Sequence, residues 1–248
     1  MGSSAERRGV VTGAGSGIGR AVAERMLREG VEVIAVDIDA AKLAALEGAG
    51  CRTVCCDLAD PAERDRLAEI ADGADFLVNS AGVIVLKPIF EVTVDDWRRA
   101  QAVNAEATFF LCQQIGPRMR PGGAIVNLSS SSAKLASTVE AAAYAASKTT
   151  ILSITRSFAY ALAARPIRVN AICPGIVDTP MQDLVLERIA PMRGTTAAAL
   201  AEARTKSVPL GRGAQPAECA GLIWFLLGAE AGYMTGQAIN YTGGMVTW

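Results

Sequence analysis

Short apolar runs alternate along the chain with longer stretches in which apolar residues recur at helical spacing. The runs are rich in valine, isoleucine and other strand-forming residues. They predict strands at 9–12, 31–36, 52–56, 76–78, 124–128, 167–172 and 237–240. The stretches between them predict helices at 20–29, 40–46, 94–119, 141–163 and 217–228, with a shorter helix after Pro61.

This alternation of strands and helices predicts βαβ crossovers, and therefore an α/β fold with a parallel sheet of about seven strands covered on both faces. The strands are apolar at nearly every position, as burial on both faces requires. Segment 177–214 is the exception to the alternation, because it is long and carries Pro180, Pro191 and Pro209. We expect an irregular, partly helical lid over the active site there.

The composition contains no histidine. Its absence excludes Ser-His-Asp and Cys-His catalysis, imidazole general bases and histidine-containing metal sites within one chain. Hydrophobic residues make up 51% of the chain and charged residues 20%, which favours a large core over disorder. Lys plus Arg number 24 against 25 Asp plus Glu, so the net charge of −1 predicts no electrostatic affinity for nucleic acid or an anionic membrane.

The six cysteines include no CxxC pair and predict no metal site. Cys51 and Cys55 would share one face of a strand but lie ~13 Å apart at ~3.3 Å per residue, too far for one zinc ion. Residues 1–8 contain no apolar segment, and the longest apolar stretch, 220–229, is half of the ~20 residues that a membrane helix needs. We therefore expect a soluble, cytoplasmic protein with reduced cysteines, no signal peptide and no membrane span.

A glycine-rich loop, Gly13-Ala-Gly-Ser-Gly-Ile-Gly19, directly follows the first predicted strand and opens the first helix. In this setting the glycines permit a tight turn and let backbone N–H groups approach a pyrophosphate at the helix N-terminus. Asp37 follows Gly19 at the end of the second strand, where an acidic residue binds the adenosine ribose. A carboxylate repels the 2′-phosphate of NADP, and neither Ser16 nor Ile38 supplies a compensating cation, so the pattern favours NAD.

Tyr144 and Lys148 occupy positions i and i+4 of a predicted helix, so a phenol and an ammonium share one face. In a chain without histidine, a tyrosine can serve as the acid/base group if its pKa falls from ~10 toward neutrality. A nearby ammonium favours the phenolate and so lowers that pKa. Upstream, strand 124–128 runs into Ser129–Ser132, which places hydroxyls at the carboxyl end of a strand, where open α/β sheets bind ligands.

These motifs together resemble the short-chain dehydrogenase/reductase family, in the family's order and over essentially the whole chain. The segments that carry the resemblance are Thr12–Gly19, Asn79–Gly82, Ser129–Ser132, Tyr144–Lys148, Pro174–Thr179 and Gly236–Gly244. The resemblance implies one Rossmann-fold domain over residues 1–248, hydride transfer between NAD(P) and an alcohol or carbonyl, and usually a homotetramer. Ser80 departs mildly from the family, which has asparagine at this position.

The resemblance also implies four catalytic residues. Tyr144 would be the general acid/base, and Lys148 would bind the nicotinamide ribose and lower the tyrosine pKa. Asn104 matches the family's helix asparagine that holds a water of the proton relay. The serine that binds the substrate hydroxyl is ambiguous, because its position after the strand gives Ser130 whereas the commoner spacing to the tyrosine gives Ser131. We favour Ser130, since strand position fixes side-chain direction.

NAD is the implied cofactor. Besides Tyr144 and Lys148, the residues that would hold it follow the strands or open the helices of the predicted fold. They are Gly13, Ser16, Gly17, Ile18, Gly19, Asp37, Ile38, Asp57, Leu58, Asn79, Ala81, Gly82, Pro174, Gly175, Val177 and Thr179.

The substrate is predicted by analogy to be a small polar secondary alcohol: a polyol, a sugar or a hydroxy acid. Its candidate wall residues are Ser132, Val139, Glu140, Ile176 and Met181. Glu140 either accepts hydrogen bonds from sugar hydroxyls or is a solvated residue at a helix start. The basic residues of the lid either receive a carboxylate or solvate helix faces; they are Arg188, Arg193, Arg204 and Lys206.

Other functions share parts of this pattern. A 3-oxoacyl-(acyl-carrier-protein) reductase or a steroid or cyclic alcohol dehydrogenase would carry the same motifs, although Asp37 without a nearby cation argues against NADPH. A non-catalytic NAD-binding sensor would need only the glycine-rich loop, and the set of Asn104, serine, Tyr144 and Lys148 argues against it.

Overall fold

The computed structural model of the chain describes residues 7–48, 50–136 and 138–248. Residues 1–6, which are part of the segment expected to hold no signal peptide, lie outside this range. The strands are β1 (Arg8–Thr12), β2 (Glu32–Asp37), β3 (Cys51–Cys55), β4 (Phe76–Asn79), β5 (Ala124–Leu128), β6 (Arg168–Pro174) and β7 (Ala238–Tyr241). They form one parallel sheet in the order β3-β2-β1-β4-β5-β6-β7. The predicted doubly wound α/β fold is confirmed.

Helices connect the strands and cover both faces of the sheet. They are α1 (Gly17–Arg28), α2 (Ala40–Ala44), α3 (Pro61–Ile70), α4 (Val94–Ala100), α5 (Ala107–Ile115), α6 (Ala142–Leu162), α7 (Pro180–Met192), α8 (Ala197–Lys206) and α9 (Pro216–Leu227). Within the described part of the chain, no helix is long and apolar enough to cross a lipid bilayer.

The core consists of two apolar layers, one on each face of the sheet. Because side chains alternate along a strand, Val11 of β1 packs in the layer under α1 and α9, and Val10 packs in the layer under α3, α5 and α6. Every residue of β4 and β5 is buried, whereas the edge strand β3 has only Cys51 and Val54 buried. This is why the central strands are mostly apolar in sequence.

The strand order reverses between β1 and β4, which is the point where α/β folds bind ligands. Thr12 at the end of β1 is in register with Asn79 of β4, which is in turn in register with Asn127 of β5. The loops that follow these three strands therefore leave the sheet side by side. They carry the glycine-rich loop, the Asn79–Gly82 motif and the serine run.

Two elements differ from the prediction. The long helix predicted at 94–119 contains a π-helical segment, Gln101–Glu106, between α4 and α5, and Asn104 lies in it. Segment 177–214, predicted as irregular and partly helical, contains the two regular helices α7 and α8. The assignment of residues 1–248 to a single domain, with this segment as its lid, stays a prediction.

Candidate active site

A cavity of about 880 Å³ opens at the carboxyl ends of the strands. This volume lies in the upper part of the range for ligand pockets. Of the residues predicted for the site, most line this cavity. They are Gly13, Ser16, Gly17, Ile18, Gly19, Asp37, Ile38, Asp57, Leu58, Ala81, Gly82, Ser130, Ser132, Tyr144, Lys148, Pro174, Gly175, Ile176, Val177, Thr179 and Met181. Asn79, Asn104 and Glu140 are not among the lining residues.

The glycine-rich loop after β1 is packed too tightly for side chains. A Cβ atom at Gly19 would lie 2.2 Å from the carbonyl oxygen of Gly13, and one at Gly13 would lie 2.8 Å from the backbone of Ala81. Gly13 also has a φ of 68°, in the left-handed region that favours glycine. The loop can therefore bring its backbone close to a ligand, as the sequence pattern predicts.

The N-terminus of α1 is left open to a ligand. Its N-cap residue, Ser16, makes no side-chain capping hydrogen bond, and no acidic residue lies in the first turn. In contrast, the side chains of Asp60, Thr179 and Thr196 cap the helices α3, α7 and α8. Uncapped N–H groups beside a glycine-rich loop suit an anion, so the site fits the pyrophosphate of a dinucleotide.

Asp37 ends β2 beside this open helix terminus. Its Oδ2 accepts a hydrogen bond from the backbone N–H of Gly15 at 2.9 Å, and its Oδ1 accepts one from that of Asp39 at 3.0 Å. The loops after β2 and β3 contribute residues 37–38 and 56–59 to the cavity wall, and none of these is Lys or Arg. A carboxylate without a facing cation suits a ribose with free hydroxyls better than one with a 2′-phosphate.

Tyr144 projects from α6 into the cavity, which Ser130 also lines. Ser130 follows β5 and is held in place because its Oγ accepts a hydrogen bond from the N–H of Ser132 at 3.1 Å. Its neighbour Ser129 points the other way and donates its hydroxyl to the carbonyl of Lys148 at 2.8 Å. Ser130 and Ser131 both line the cavity, and the choice of Ser130 as the catalytic serine stays a prediction.

The pKa of Tyr144 differs from the sequence-based expectation. Burial raises the pKa of this phenol above its usual value, and the hydrogen bond from Ser130 acts in the opposite direction. Burial disfavours the phenolate because a charge loses its hydration. In the chain alone, the expected lowering by Lys148 is therefore absent, and it would have to come from the bound cofactor's positive charge.

Lys148 lies buried behind the tyrosine, one helical turn along α6. Its Nζ donates a hydrogen bond to the carbonyl oxygen of Leu128 at 2.8 Å and lies 5.7 Å from the centre of the Tyr144 ring. No carboxylate of the described residues forms an ion pair with it. Burial accordingly lowers the pKa of Lys148 to about 8.

Asn104 is fully buried behind the wall of the cavity. Its Nδ2 donates to the carbonyl of Val83 and to the Oγ of Ser147, both at 2.9 Å, and its Oδ1 accepts from the N–H of Val83 at 2.8 Å. A Cβ on Gly82 would come within 3.2 Å of this Oδ1 and 3.3 Å of the Nζ of Lys148. Asn104 thus joins the π-helical segment to the loop after β4. Its role in a proton relay stays a prediction.

The comparison with known proteins agrees with this geometry. A family model described as Enoyl-(Acyl carrier protein) reductase matches residues 13–246. The solved structure of a short-chain dehydrogenase/reductase, titled a glucose/ribitol dehydrogenase, from Brucella melitensis has a TM-score of 0.88 and is 32% identical, covering 98% of this chain and 97% of that one. The chain belongs to the short-chain dehydrogenase/reductase family.

Two relatives within this family are named for different substrates. Galactitol 2-dehydrogenase from Agrobacterium fabrum (strain C58 / ATCC 33970) is 34% identical over 245 residues, which is 95% of each chain. The 3-oxoacyl-[acyl-carrier-protein] reductase FabG from Thermotoga maritima is 34% identical over 249 residues, which is 96% of each chain. The family uses NAD(P), and this short-chain dehydrogenase/reductase is an oxidoreductase that acts on CH–OH groups.

Asn79 was predicted to lie at the edge of the cofactor, but its side chain turns into the sheet. It is buried within the sheet, where its Nδ2 donates a hydrogen bond to the Oδ1 of Asn127 at 2.9 Å. The neighbouring loop is held by Thr12, whose Oγ1 accepts hydrogen bonds from the N–H groups of Ser80 and Ala81, both at 3.1 Å. Asn79 therefore supports the strand ends, and Ala81 and Gly82 form the cavity wall.

Glu140 is buried and paired, and not a solvated residue at a helix start; its contact with a substrate stays a prediction. Its carboxylate forms a bidentate ion pair with Arg193, in which Nε and Nη2 each donate at 2.7 Å. The guanidinium holds the pKa of Glu140 below its usual value. The adjacent candidate Val139 is exposed and does not line the cavity either. The ion pair joins the segment before α6 to the end of α7.

Sequence reasoning missed several residues of the cavity wall that lie in α7, in α8 or just after it. They are Gln182, Val185, Leu200, Ala203 and Ser207; Arg193 and Arg204, already named among the basic residues of the lid, line the cavity as well. Their spacing of three or four residues within each helix is the signal that would have found them, had 177–214 been interpreted as helical. The described residues contain no group of three or more Cys, Asp or Glu side chains able to hold a metal ion.

Proposed function

We propose that this protein is an NAD-dependent dehydrogenase that interconverts a secondary alcohol and a ketone on a small polar substrate, such as a polyol, a sugar or a hydroxy acid. The placement of Ser130, Tyr144 and the buried Lys148 in one cavity is the observation that carries the proposal. The likeness to a relative named galactitol 2-dehydrogenase supports the substrate class.

The proposed chemistry divides between Ser130 and Tyr144. In the oxidation direction, Ser130 holds the substrate hydroxyl and Tyr144, as phenolate, takes its proton. A bound NAD would supply the acceptor for the hydride of the same carbon, which would turn the alcohol into a ketone. With the cofactor bound, Lys148 would add its charge beside the ring of Tyr144 to that of the nicotinamide, and both charges would favour the phenolate. Asn104 holds the loop after β4 against the π-helical segment, and so positions Gly82 beside Lys148.

The cofactor would lie along the open ends of the strands. The uncapped start of α1 would hold its pyrophosphate, and Asp37 its adenosine ribose. Thr179, whose side chain lies 3.2 Å from a Cβ built on Gly17, would hold the carboxamide. We also propose the family's homotetramer and a cytoplasmic location. Trp97, Phe109 and Trp248 are exposed, and we expect other subunits of the homotetramer to cover these apolar side chains.

The function is tested by following NADH formation with a panel of polyols, sugars and sugar acids, and with cyclic alcohols and steroids for comparison. We expect oxidation of at least one of these secondary alcohols, with kcat/KM at least about tenfold above that for cyclic alcohols and steroids. A 3-oxoacyl thioester reduced faster than any ketose or keto acid would favour the reductase alternative. Complete inactivity with every compound would support a non-catalytic NAD-binding protein.

Asp37 is expected to set the preference for NAD. The wild-type protein should bind NADH at least about tenfold more tightly than NADPH, because the carboxylate repels the 2′-phosphate. Asp37→Ser should shift this ratio toward NADPH by about tenfold or more. Isothermal titration calorimetry with both cofactors measures the ratio. Asp60→Asn is the control, because it also removes a carboxylate, but one that caps α3. An unchanged ratio in Asp37→Ser would contradict the assignment.

A further inference from the structure

Arg204 of α8 lines the cavity with no carboxylate to neutralise it. None of the described carboxylates forms an ion pair with its guanidinium. Its Nε is buried without a hydrogen-bond partner, and its Nη2 makes only a long contact of 3.4 Å with the Oε1 of Gln182. The group thus projects into the site with most of its donors unused, since a guanidinium has five N–H donors.

The other basic side chains of the lid are already paired or lie elsewhere. Arg193 is bound in a bidentate fashion by Glu140, and Lys206 pairs with Glu202 at 2.7 Å on the surface of α8. Arg188 is exposed and does not line the cavity. Of these four basic residues, Arg193 and Arg204 line the cavity, and of the two only Arg204 has no carboxylate partner among the described residues.

The position of Arg204 is electrostatically costly in the chain alone. Burial and the neighbouring guanidinium of Arg193 both lower the pKa of Arg204. A partly buried cation without a counter-ion loses hydration and gains nothing in return. An anion bound in the cavity would remove this cost, and a planar carboxylate can accept two of its N–H groups at once.

The contact with Gln182 places Arg204 close to the reactive end of the cavity. Gln182 is in the first turn of α7, where its N–H donates to the Oγ1 of Thr179 at 3.3 Å. Thr179 is the residue proposed to hold the carboxamide, and Met181 and Ile176 line the cavity beside it. A group held by Arg204 would therefore belong to the substrate and not to the adenosine half of the cofactor, which Asp37 serves.

We propose that Arg204 binds a carboxylate of the substrate, so that the physiological substrate is a hydroxy acid, such as a sugar acid, and not a neutral polyol. This inference rests on the proposed function, because it assigns the substrate class of the same cavity. A phosphate monoester offers similar chemistry, and the test below distinguishes it. Direct contact would make Arg204 a specificity-determining residue for the reaction.

The test uses matched pairs of ligands and the protein loaded with NADH, which prevents oxidation. Threonate, xylonate and gluconate are each titrated calorimetrically against threitol, xylitol and sorbitol, and sorbitol 6-phosphate provides the phosphate. We expect at least one acid to bind about 10- to 100-fold more tightly than its alditol. Arg204→Gln should remove this difference and Arg204→Lys should keep part of it. Arg188→Gln is the matched control and should bind as the wild type does.

Several results would overturn the proposal. These are equal binding of acid and alditol by the wild type, a preference that survives in Arg204→Gln, and weaker NADH binding in that variant. If the sugar phosphate binds more tightly than every acid, and this binding depends on Arg204, the group that Arg204 binds is a phosphate and not a carboxylate. Oxidation of neutral polyols without any preference for acids leaves the proposed function intact and removes this inference. Arg204-dependent binding of an acid without any turnover would keep this inference and contradict the proposed function.

Discussion

Tyr144→Phe is expected to lower kcat by about 10²- to 10⁴-fold while leaving NADH binding within a factor of about two of the wild type. The phenylalanine keeps the buried ring on α6 and removes only the phenol hydroxyl. Proton transfer then has no acceptor, because the chain contains no histidine to replace it. Turnover under saturating NAD and the preferred substrate measures the loss, and calorimetry with NADH measures the binding.

Two controls distinguish this role from a general effect of losing a hydroxyl. Tyr160→Phe alters an exposed tyrosine on the same helix, and its kcat should match that of the wild type. Ser130→Ala should reduce kcat by about tenfold or more, whereas Ser131→Ala should not. A large loss only in Ser131→Ala would show that the serine has been wrongly assigned. Near-normal turnover in Tyr144→Phe would refute the mechanism.

The pH dependence of oxidation adds a second measurement on the same residue. Activity should rise with pH as one group loses its proton, and the rise should vanish in the residual activity of Tyr144→Phe. Burial raises the pKa of this phenol in the chain alone, so the inflection would move toward neutrality only when the positively charged cofactor is present. With no histidine in the chain, no imidazole can account for the inflection.

The parts of the site that the sequence predicted depend on local geometry. Tyr144 and Lys148 share a helix face because they are four residues apart, and Ser130 is placed by its distance from the end of β5. The glycine-rich loop is likewise local, since its glycines are needed by the turn between β1 and α1. A periodicity in the sequence is enough to place such residues relative to one another.

The contacts that sequence reasoning did not predict depend on partners distant in sequence. Glu140 was given two interpretations, but its partner Arg193 lies 53 residues away, on an element predicted to be irregular. Asn79 was expected at the cofactor because of its motif, yet it donates to Asn127, 48 residues away across the sheet. No spacing rule connects such pairs. Only the packing of the folded chain decides which polar group turns inward.

Segment 177–214, predicted as irregular and partly helical, is more regular than expected. Pro180 occupies the first turn of α7, where its missing N–H has no intrahelical role. Thr179 before it is a side-chain cap, and Thr196 is another before α8. Both are start signals for a helix. With these signals recognised, the helical spacing of Leu200 and Arg204 would have predicted that both face the site.

Lys148→Met is expected to lower kcat and, at the same time, to raise the free energy of unfolding. Its kcat should fall by about 10²-fold or more, because the positive charge beside the ring of Tyr144 is lost. Its free energy of unfolding at pH 7 should instead exceed that of the wild type by a few kcal/mol at most, because a buried, unpaired ammonium is replaced by an apolar side chain. Loss of the hydrogen bond to the carbonyl of Leu128 offsets part of this gain, by about 1–3 kcal/mol.

The pH dependence of this stability difference follows from the lowered pKa of Lys148. The pKa is about 8 in the folded protein, against an ordinary value of 10.5. Below pH 8 the amine is charged in both states, and the wild type carries the full cost of burying it. Between pH 8 and 10.5 the unfolded chain binds a proton that the folded protein does not, so the stability of the wild type rises relative to that of the variant. The advantage of Lys148→Met should therefore shrink by on the order of 3 kcal/mol across this window.

Urea unfolding of both proteins at pH 7, 8, 9 and 10 measures this change, and the difference between them cancels the titration of all other groups. Lys206→Met, which removes an exposed lysine of α8, should show no such trend, because its ammonium stays in solvent when the chain folds. A constant difference between Lys148→Met and the wild type from pH 8 to pH 10 would mean that Lys148 is not desolvated as the structure indicates. A desolvated amine is the property on which its catalytic role depends, since an ammonium without a counter-ion is free to act on the phenolate of Tyr144.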